Sequence, residues 1–287
     1  MANRTLMAVG AHADDIELNV GGALTKYRTV GYEIVYVMAT NNMSGIWQRL
    51  EPDGSIGRTR PPYHGMMPQR KREAAAAAEA FGTTPVHLDH PQRHYTRDDG
   101  SVAELRYGCE RPDCVAPDAP TILTAHEHEP SVKALAELIL EWRPEAVMTH
   151  GPAMVDMEHI GTCLLTTRAY RQAIEAGHDG MLLHWLDISP PIFGDTFARW
   201  DTFIDVSAYW EEKLAAIGLH ACQMPDPSRL DLPEWGPACG CSRAEVFTIG
   251  GHGRCGGPHA AFRTEIFHHS SPRDQAMRRT KRKAAQC

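Results

Sequence analysis

Residues 11–17 read Ala11-His12-Ala13-Asp14-Asp15-Ile16-Glu17. One imidazole beside two adjacent carboxylates suits a divalent metal. His and Asp are good zinc ligands, and a catalytic zinc keeps three protein ligands and an open position for water. Neighbouring side chains point different ways, so one carboxylate can bind an ion while the other faces the water. The same turn also lets an Asp cap a following helix, and the motif alone supports both readings. A third ligand is sought in Thr149-His150-Gly151-Pro152-Ala153-Met154-Val155-Asp156-Met157-Glu158-His159, which supplies His150, Asp156, Glu158 and His159. His159, on the first turn of a helix, is placed to reach an ion shared with the first motif.

These residues need elements to hold them. Thr5 to Gly10 is a short apolar run suited to a buried strand. Ile16, Val20, Ala23, Leu24 and Tyr27 then recur at helical spacing, with Gly31 where a C-cap belongs. Tyr32 to Ala39 is rich in β-branched and aromatic residues, which completes a βαβ unit. The alternation continues with helices expected at 69–81, 133–142 and 157–176, and strands at 86–88, 146–149 and 203–206. A last helix is marked by Trp210, Leu214 and Ile217. The pattern predicts an α/β fold, a Rossmann-like three-layer sandwich with a mostly parallel sheet. Its site should lie at the strand carboxyl ends, where open α/β sheets bind ligands. Both candidate motifs follow strands. Segments 41–65 and 90–125 are expected as long loops, and loops of that length in a compact domain are usually functional.

Composition narrows the classes. The chain has 287 residues, 43% of them hydrophobic and 23% charged. That is enough apolar material for a sizeable core and excludes disorder over most of the length. No window of about 18 residues is free of charge, so no membrane span is expected. Leu6 to Ala11 is too short and too polar-flanked for a signal peptide, and the expectation is a soluble, cytoplasmic protein. The net charge of −7 argues against a nucleic-acid partner. From Arg273 to Cys287 six basic residues meet one acid, so we expect a single domain over 1–272 and a basic, disordered tail over 273–287. The 16 His favour metal or acid/base chemistry, and the 8 Cys should be thiols or ligands rather than disulfides. Cys109 and Cys114, and Cys239, Cys241 and Cys255, lack the paired spacing of a structural zinc site.

On its motifs the chain resembles the PIG-L/LmbE-like zinc-dependent N-acetylglucosaminyl deacetylases. Residues 11–17 match the family's opening A-H-[PA]-D-D-x-E, and Gly21-Gly22-Ala23-Leu24 resembles its G-G-T-[LI]. Arg70 to Gly82 is similar to its R-x-x-E-x-x-x-A-x-x-x-L-G helix, and His159 matches the last His of H-P-D-H. Lys213 to Gln223 resembles K-x-x-A-x-x-x-H-x-S-Q, and Gly253 to Phe262 loosely resembles the closing stretch. The matches run in family order from residue 5 to about 265.

The resemblance implies that His12, Asp15 and His159 hold Zn2+ or another divalent transition metal, with Asp14 as general base and Arg70 near the oxyanion. The implied substrate is a small-molecule N-acyl amino sugar or glycoconjugate, losing its acyl group to metal-activated water. Asp156 stands where the family has a His beside the scissile amide, and Glu158 replaces an Asp. Asp156 is therefore either a catalytic carboxyl or the cap of the helix beginning at Met157, and His150 or His252 is a candidate for the vacated role. Two alternatives stay open: a non-catalytic metal- or sugar-binding relative, and an amidase for a larger N-acyl or thiol-conjugate substrate. A nucleotide-binding rival would need a Gly-rich turn where this chain has His-Ala-Asp-Asp. A homo-oligomer is compatible with all of these.

Overall fold

The computed structural model describes residues 4–105, 110–152, 154–186 and 200–251. Its elements run β1 (Thr5–Gly10), α1 (Asp15–Thr29), β2 (Glu33–Thr40), β3 (Trp47–Leu50), β4 (Ile56–Thr59), α2 (Tyr63–Ala80), β5 (Pro85–His90), β6 (His94–Thr96) and β7 (Val102–Glu104). Then come α3 (Glu129–Trp142), β8 (Ala146–His150), α4 (Met157–Glu175), β9 (Met181–Trp185), β10 (Thr202–Asp205), α5 (Trp210–Gly218), α6 (Gly236–Cys239) and β11 (Ala244–Gly251).

The central sheet has the order β10-β11-β9-β8-β1-β2-β5. From β9 to β5 every pairing is parallel. β11 runs antiparallel to both β9 and β10 and closes one edge. β1 is buried along its whole length, as expected of a strand covered on both faces. Its alternate side chains go to different layers. Leu6 and Ala8 pack with Ile16, Leu24 and Tyr27 of α1 and Ala74 and Ala78 of α2. Met7 and Val9 pack with Leu135 and Ile139 of α3 and Leu165 and Ala169 of α4. The three-layer sandwich follows from this alternation.

β1 lies between β2 and β8. The chain builds outward from β1 to β5 on one side and later returns to β8 on the other. After β1 it turns into α1 on one face, and after β8 into α4 on the opposite face. Two connections leaving adjacent strands for opposite faces open a crevice at the carboxyl edge, the switch point where such sheets bind ligands.

The sequence reading needs correcting in four places. α2 begins at Tyr63, six residues before the expected start, and runs through Pro68 one backbone hydrogen bond short. β9 and β11 lack period-2 alternation, because both faces are covered, and neither was anticipated. Segments 41–65 and 90–125 are not bare loops: each carries a short hairpin, β3–β4 and β6–β7. Asp53 and Asp99 set those turns by accepting hydrogen bonds from the backbone N–H of Ser55 (2.9 Å) and Ser101 (2.8 Å). The stretch 253–262, His252, Cys109, Cys255 and the basic tail lie outside the described residues. No described helix is long and apolar enough to cross a membrane.

One buried ion pair ties the antiparallel edge to the layer above β1. Lys213 of α5 meets Glu245 of β11 at 2.6 Å, and both side chains are almost fully buried. Glu245 also accepts hydrogen bonds from the backbone N–H of Gly22 (3.0 Å) and Ala23 (2.8 Å) in α1. Gly22 is needed for this approach, since a Cβ there would stand 2.8 Å from Val206 Cβ. Glu245→Ala should cost about 3–5 kcal/mol, because it leaves the Lys213 charge buried and unpaired. Urea unfolding monitored by circular dichroism checks this; a loss below about 1 kcal/mol would show that the pair contributes little.

Candidate metal centre

The turn after β1 is fixed by its own hydrogen bonds. His12 N–H donates to Asp15 Oδ2 (2.6 Å), Ala13 N–H to Asn42 Oδ1 (2.8 Å), and Thr40 N–H to Ala11 O (3.1 Å). Asp14, at the N-cap of α1, has φ 128° and makes no side-chain capping bond. Capping therefore does not account for Asp14. Its left-handed backbone costs roughly 1–3 kcal/mol and is the sort of strain that collects at functional sites. The Arg70 guanidinium holds the strained turn, donating to Ala13 O (2.6 Å) and Asp14 Oδ2 (3.1 Å). These contacts put the Arg70 guanidinium against Asp14.

Three donor side chains converge just beyond the turn. His12 Nδ1 lies 3.2 Å from His159 Nε2 and 3.5 Å from Asp15 Oδ2, and His159 Nε2 lies 3.3 Å from Asp15 Oδ1. Tetrahedral zinc with bonds of 2.0–2.1 Å separates its ligands by about 3.3 Å. The donor set and its spacing therefore fit such an ion. His12 Nε2–H donates to Glu158 Oε2 at 2.6 Å, which leaves the Nδ1 lone pair aimed at the centre. Glu158 is itself held by Gln92 Nε2 (2.8 Å) and by Arg93 N–H (2.6 Å to Oε1). A carboxylate behind a ligating His is the usual support for a metal site.

The electrostatics agree. Burial opposes a charge on His12, but Asp15 and Glu158 outweigh it and raise its pKa to about 10. Burial favours the neutral form of Glu158, yet its bonds to His12, Gln92 and the Arg93 N–H bring it down to about 2. For Asp15, burial is likewise overcome by His159, His150 and His12, and the carboxyl stays well below its usual range. Burial pushes Asp14 up to about 6 against the pull of Arg70. Two ionised carboxylates thus flank His12, a pocket built around a positive charge that a proton or a metal ion can supply.

His150, a candidate for the vacated role, lies against His159. It is fully buried and stacks on His159 with ring centroids 4.1 Å apart, and Ala11 N–H donates to its Nε2 at 3.0 Å. The same Nε2 stands 3.2 Å from Asp15 Oδ2, and Asp15, His150 and His159 offer donor atoms within 4.8 Å of one another. Asp156 caps α4, accepting from Glu158 N–H at 2.8 Å. Its carboxylate also stands within 4.8 Å of the donor atoms of His12 and His159. The structure thus places Asp156 at the edge of the centre while it serves as a cap.

The sequence named the ligand candidates and Glu158 but not what Glu158 does; its place one residue before His159 was the available signal. Nothing marked Gln92 or Asn42. Beneath Asp14 lies a further buried pair, with His220 Nε2 3.0 Å from Glu17 Oε2. Burial lowers the His220 pKa, but Glu17 outweighs it and raises it. Its motif was visible, and its partner on α1 was not. Trp47 opens β3 and is half-buried.

Comparison with known proteins places this geometry. A family model described as GlcNAc-PI de-N-acetylase matches residues 7–170, more than half of the chain. A curated 1D-myo-inositol 2-acetamido-2-deoxy-alpha-D-glucopyranoside deacetylase from Catenulispora acidiphila is 27% identical over 178 residues, covering 61% of this chain and 53% of that protein. The chain thus spans about half the length of the first curated relatives it matches. Among solved structures, N,N'-diacetylchitobiose deacetylase from Pyrococcus horikoshii aligns with a TM-score of 0.56 at 17% identity, over 90% of this chain and 85% of that one. GalB, the 4-carboxy-2-hydroxymuconate hydratase from Pseudomonas putida KT2440, aligns at 0.58 and 19% over 86% and 95%. At these identities the structures attest the fold. The matched span runs from β1 into α4 and contains His12, Asp14, Asp15 and His159, and on that match the chain belongs to the GlcNAc-PI de-N-acetylase (PIG-L) family.

Proposed function

We propose that this chain is a metal-dependent hydrolase that removes an N-acetyl or other N-acyl group from an amino sugar or glycoconjugate. The observation that carries the reading is the convergence of His12, Asp15 and His159 at 3.2–3.5 Å beside a strained, buried Asp14. The relatives' names support it, since the curated ones are acetamido-sugar deacetylases. Zinc, or another divalent transition metal held by these three residues, would polarise an acyl oxygen and lower the pKa of water toward about 7.

The protein's own groups do the rest. Asp14 takes the proton of the attacking water and later returns one to the departing amine. Burial favours the neutral form of Asp14, so its carboxyl readily keeps the proton it takes until the amine departs. Arg70 is a positioning residue that fixes Asp14 in its left-handed conformation. Glu158, Gln92 and the Arg93 N–H hold His12 in one tautomer. Asp156 caps α4 and so sets the first turn that carries His159. The same reading takes a small molecule, not nucleic acid, as partner, and places the protein in the cytoplasm. Acetate release from a panel of N-acetyl amino sugars, with zinc added or chelated, tests it directly. Stoichiometric zinc without turnover of any of them would favour a non-catalytic relative.

Substitutions at three positions separate the roles. His12→Ala should lose bound metal and activity together, read by elemental analysis and acetate release; full zinc with an unchanged rate would reject the ligand set. Asp14→Asn should keep the metal and lose about 10²–10⁴-fold in rate, the contribution typical of a general base. A loss under about fivefold would make Asp14 structural. Asp156→Asn preserves the cap and should alter the rate only modestly, while Asp156→Ala should cost about 1 kcal/mol in thermal unfolding. Abolished activity in a folded, zinc-loaded Asp156→Asn protein would make that carboxyl catalytic.

A further inference from the structure

Each partner of the Asp14–Arg70 ion pair, which closes at 3.1 Å, stands one helical turn before a buried glutamate. Glu17 follows Asp14 by three residues along α1, and Glu73 follows Arg70 by three along α2. Residues at that spacing share a helix face. The mechanism above uses neither glutamate.

One short turn after α5, residues 220–223, reaches both of them. His220 Nε2 stands 3.0 Å from Glu17 Oε2, and neither side chain is exposed. Cys222 N–H donates to Glu73 Oε1 at 2.9 Å, and the Cys222 thiol stands 2.9 Å from Oε2. The turn is closed on itself, since Gln223 and Met224 N–H both donate to His220 O at 2.8 Å. It also grips the stretch 44–48. Gln48 N–H donates to Cys222 O (2.7 Å), and Gln223 Nε2 donates to Ile46 O (2.9 Å). Ser44 O, in the same stretch, accepts from Arg70 Nη1 at 3.4 Å. Both sides of the Asp14–Arg70 pair are therefore tied to one point in the chain. His220 lies within electrostatic reach of both: burial disfavours its charged form, Glu17 and Asp14 favour it, and Arg70 opposes it.

The strained backbone of Asp14 needs support from outside its own turn. Leu18 N–H donates to Asp14 O at 3.0 Å, so a shift of Glu17 within that first turn carries to Asp14. A catalytic group displaced by about 1 Å can cost roughly 10²-fold in rate.

We propose that the turn 220–223 positions the general base, with His220 acting through Glu17 on Asp14 and Cys222 acting through Glu73 on Arg70. The proposal rests on the deacylase reading for what Asp14 does, and it names the residues that keep Asp14 in place. His220 is a positioning residue, so its loss should be read in the geometry of residues 11–18 and in kcat rather than in metal content.

Two measurements on the zinc-loaded protein test this. Hydrogen exchange of the amides of residues 11–18 should quicken by about tenfold or more in His220→Ala, with β8 unchanged. His220→Gln, which keeps an N–H donor for Glu17, should restore it. With the N-acetyl amino sugar turned over best, His220→Ala should lower kcat by about tenfold or more at similar KM and bound zinc. In an Asp14→Asn background the same substitution should change the residual rate by less than about threefold, because the two act as one unit. If His220→Ala does not fold, Glu17→Leu/His220→Leu, which buries no unpaired charge, takes its place with the same expectations.

Unchanged exchange at 11–18, or a rise shared equally by β8, would overturn the proposal and make the pair merely structural. An equal loss of rate with and without Asp14 would overturn it too, while leaving the deacylase reading standing. If no sugar is turned over, that reading fails and exchange alone decides the positioning role: a local rise reversed by His220→Gln upholds it, and any other pattern overturns it.

Discussion

Placing two buried carboxylates against buried imidazoles commits the fold to holding a positive charge. Asp15 and Glu158 approach His12 from opposite ring nitrogens, at 3.5 and 2.6 Å. Without a cation the two negative charges would stand desolvated in the crevice, which is costly. A protonated His12 satisfies them in part. A divalent ion on His12 Nδ1, Asp15 and His159 satisfies them more fully and leaves the Nε2–H of His12 on Glu158. The rest of the site is arranged around that requirement. Gln92 and Arg93 hold Glu158, His150 stacks under His159, and Arg70 steadies the turn carrying Asp14.

The sheet makes this convergence inexpensive. The three proposed ligands come from two motifs more than 130 residues apart in the chain. They meet because β1 and β8 are paired in register, with Val9 beside Thr149. The loops that follow then leave for opposite faces. The stiff element is the turn at Asp14, where φ is 128° and the backbone of Ala13 is held on both sides, its carbonyl accepting from Arg70 and its N–H donating to Asn42 Oδ1. A residue held in that way is preorganised, so little reorganisation is needed when a proton moves.

Much of this was legible in the residues. The buried strand before His12, the helical spacing from Ile16 to Tyr27 and the second strand end at His150 follow from periodicity and burial, and they fix the α/β sandwich and the edge where the site lies. The residues themselves offered His12 and the Asp14–Asp15 pair together with His150, Asp156, Glu158 and His159; it was the family resemblance that narrowed them to His12, Asp15 and His159. The supporting partners were not legible. Glu158 on His12, Arg70 on Asp14 and Glu17 on His220 are long-range or cross-element pairings, and no local spacing encodes them. β9 and β11 escaped for a different reason: a strand covered on both faces loses the alternation by which strands are recognised.

The central claim is that one ion sits among His12, Asp15 and His159. Anomalous diffraction at the zinc edge from crystals of the zinc-loaded protein tests it most directly. The account predicts a single peak with His12 Nδ1, His159 Nε2 and an Asp15 oxygen at roughly 2.0–2.2 Å, and Glu158 still on the far nitrogen of His12. A peak coordinated by His150 in place of His12, or no peak at this strand edge, would contradict it.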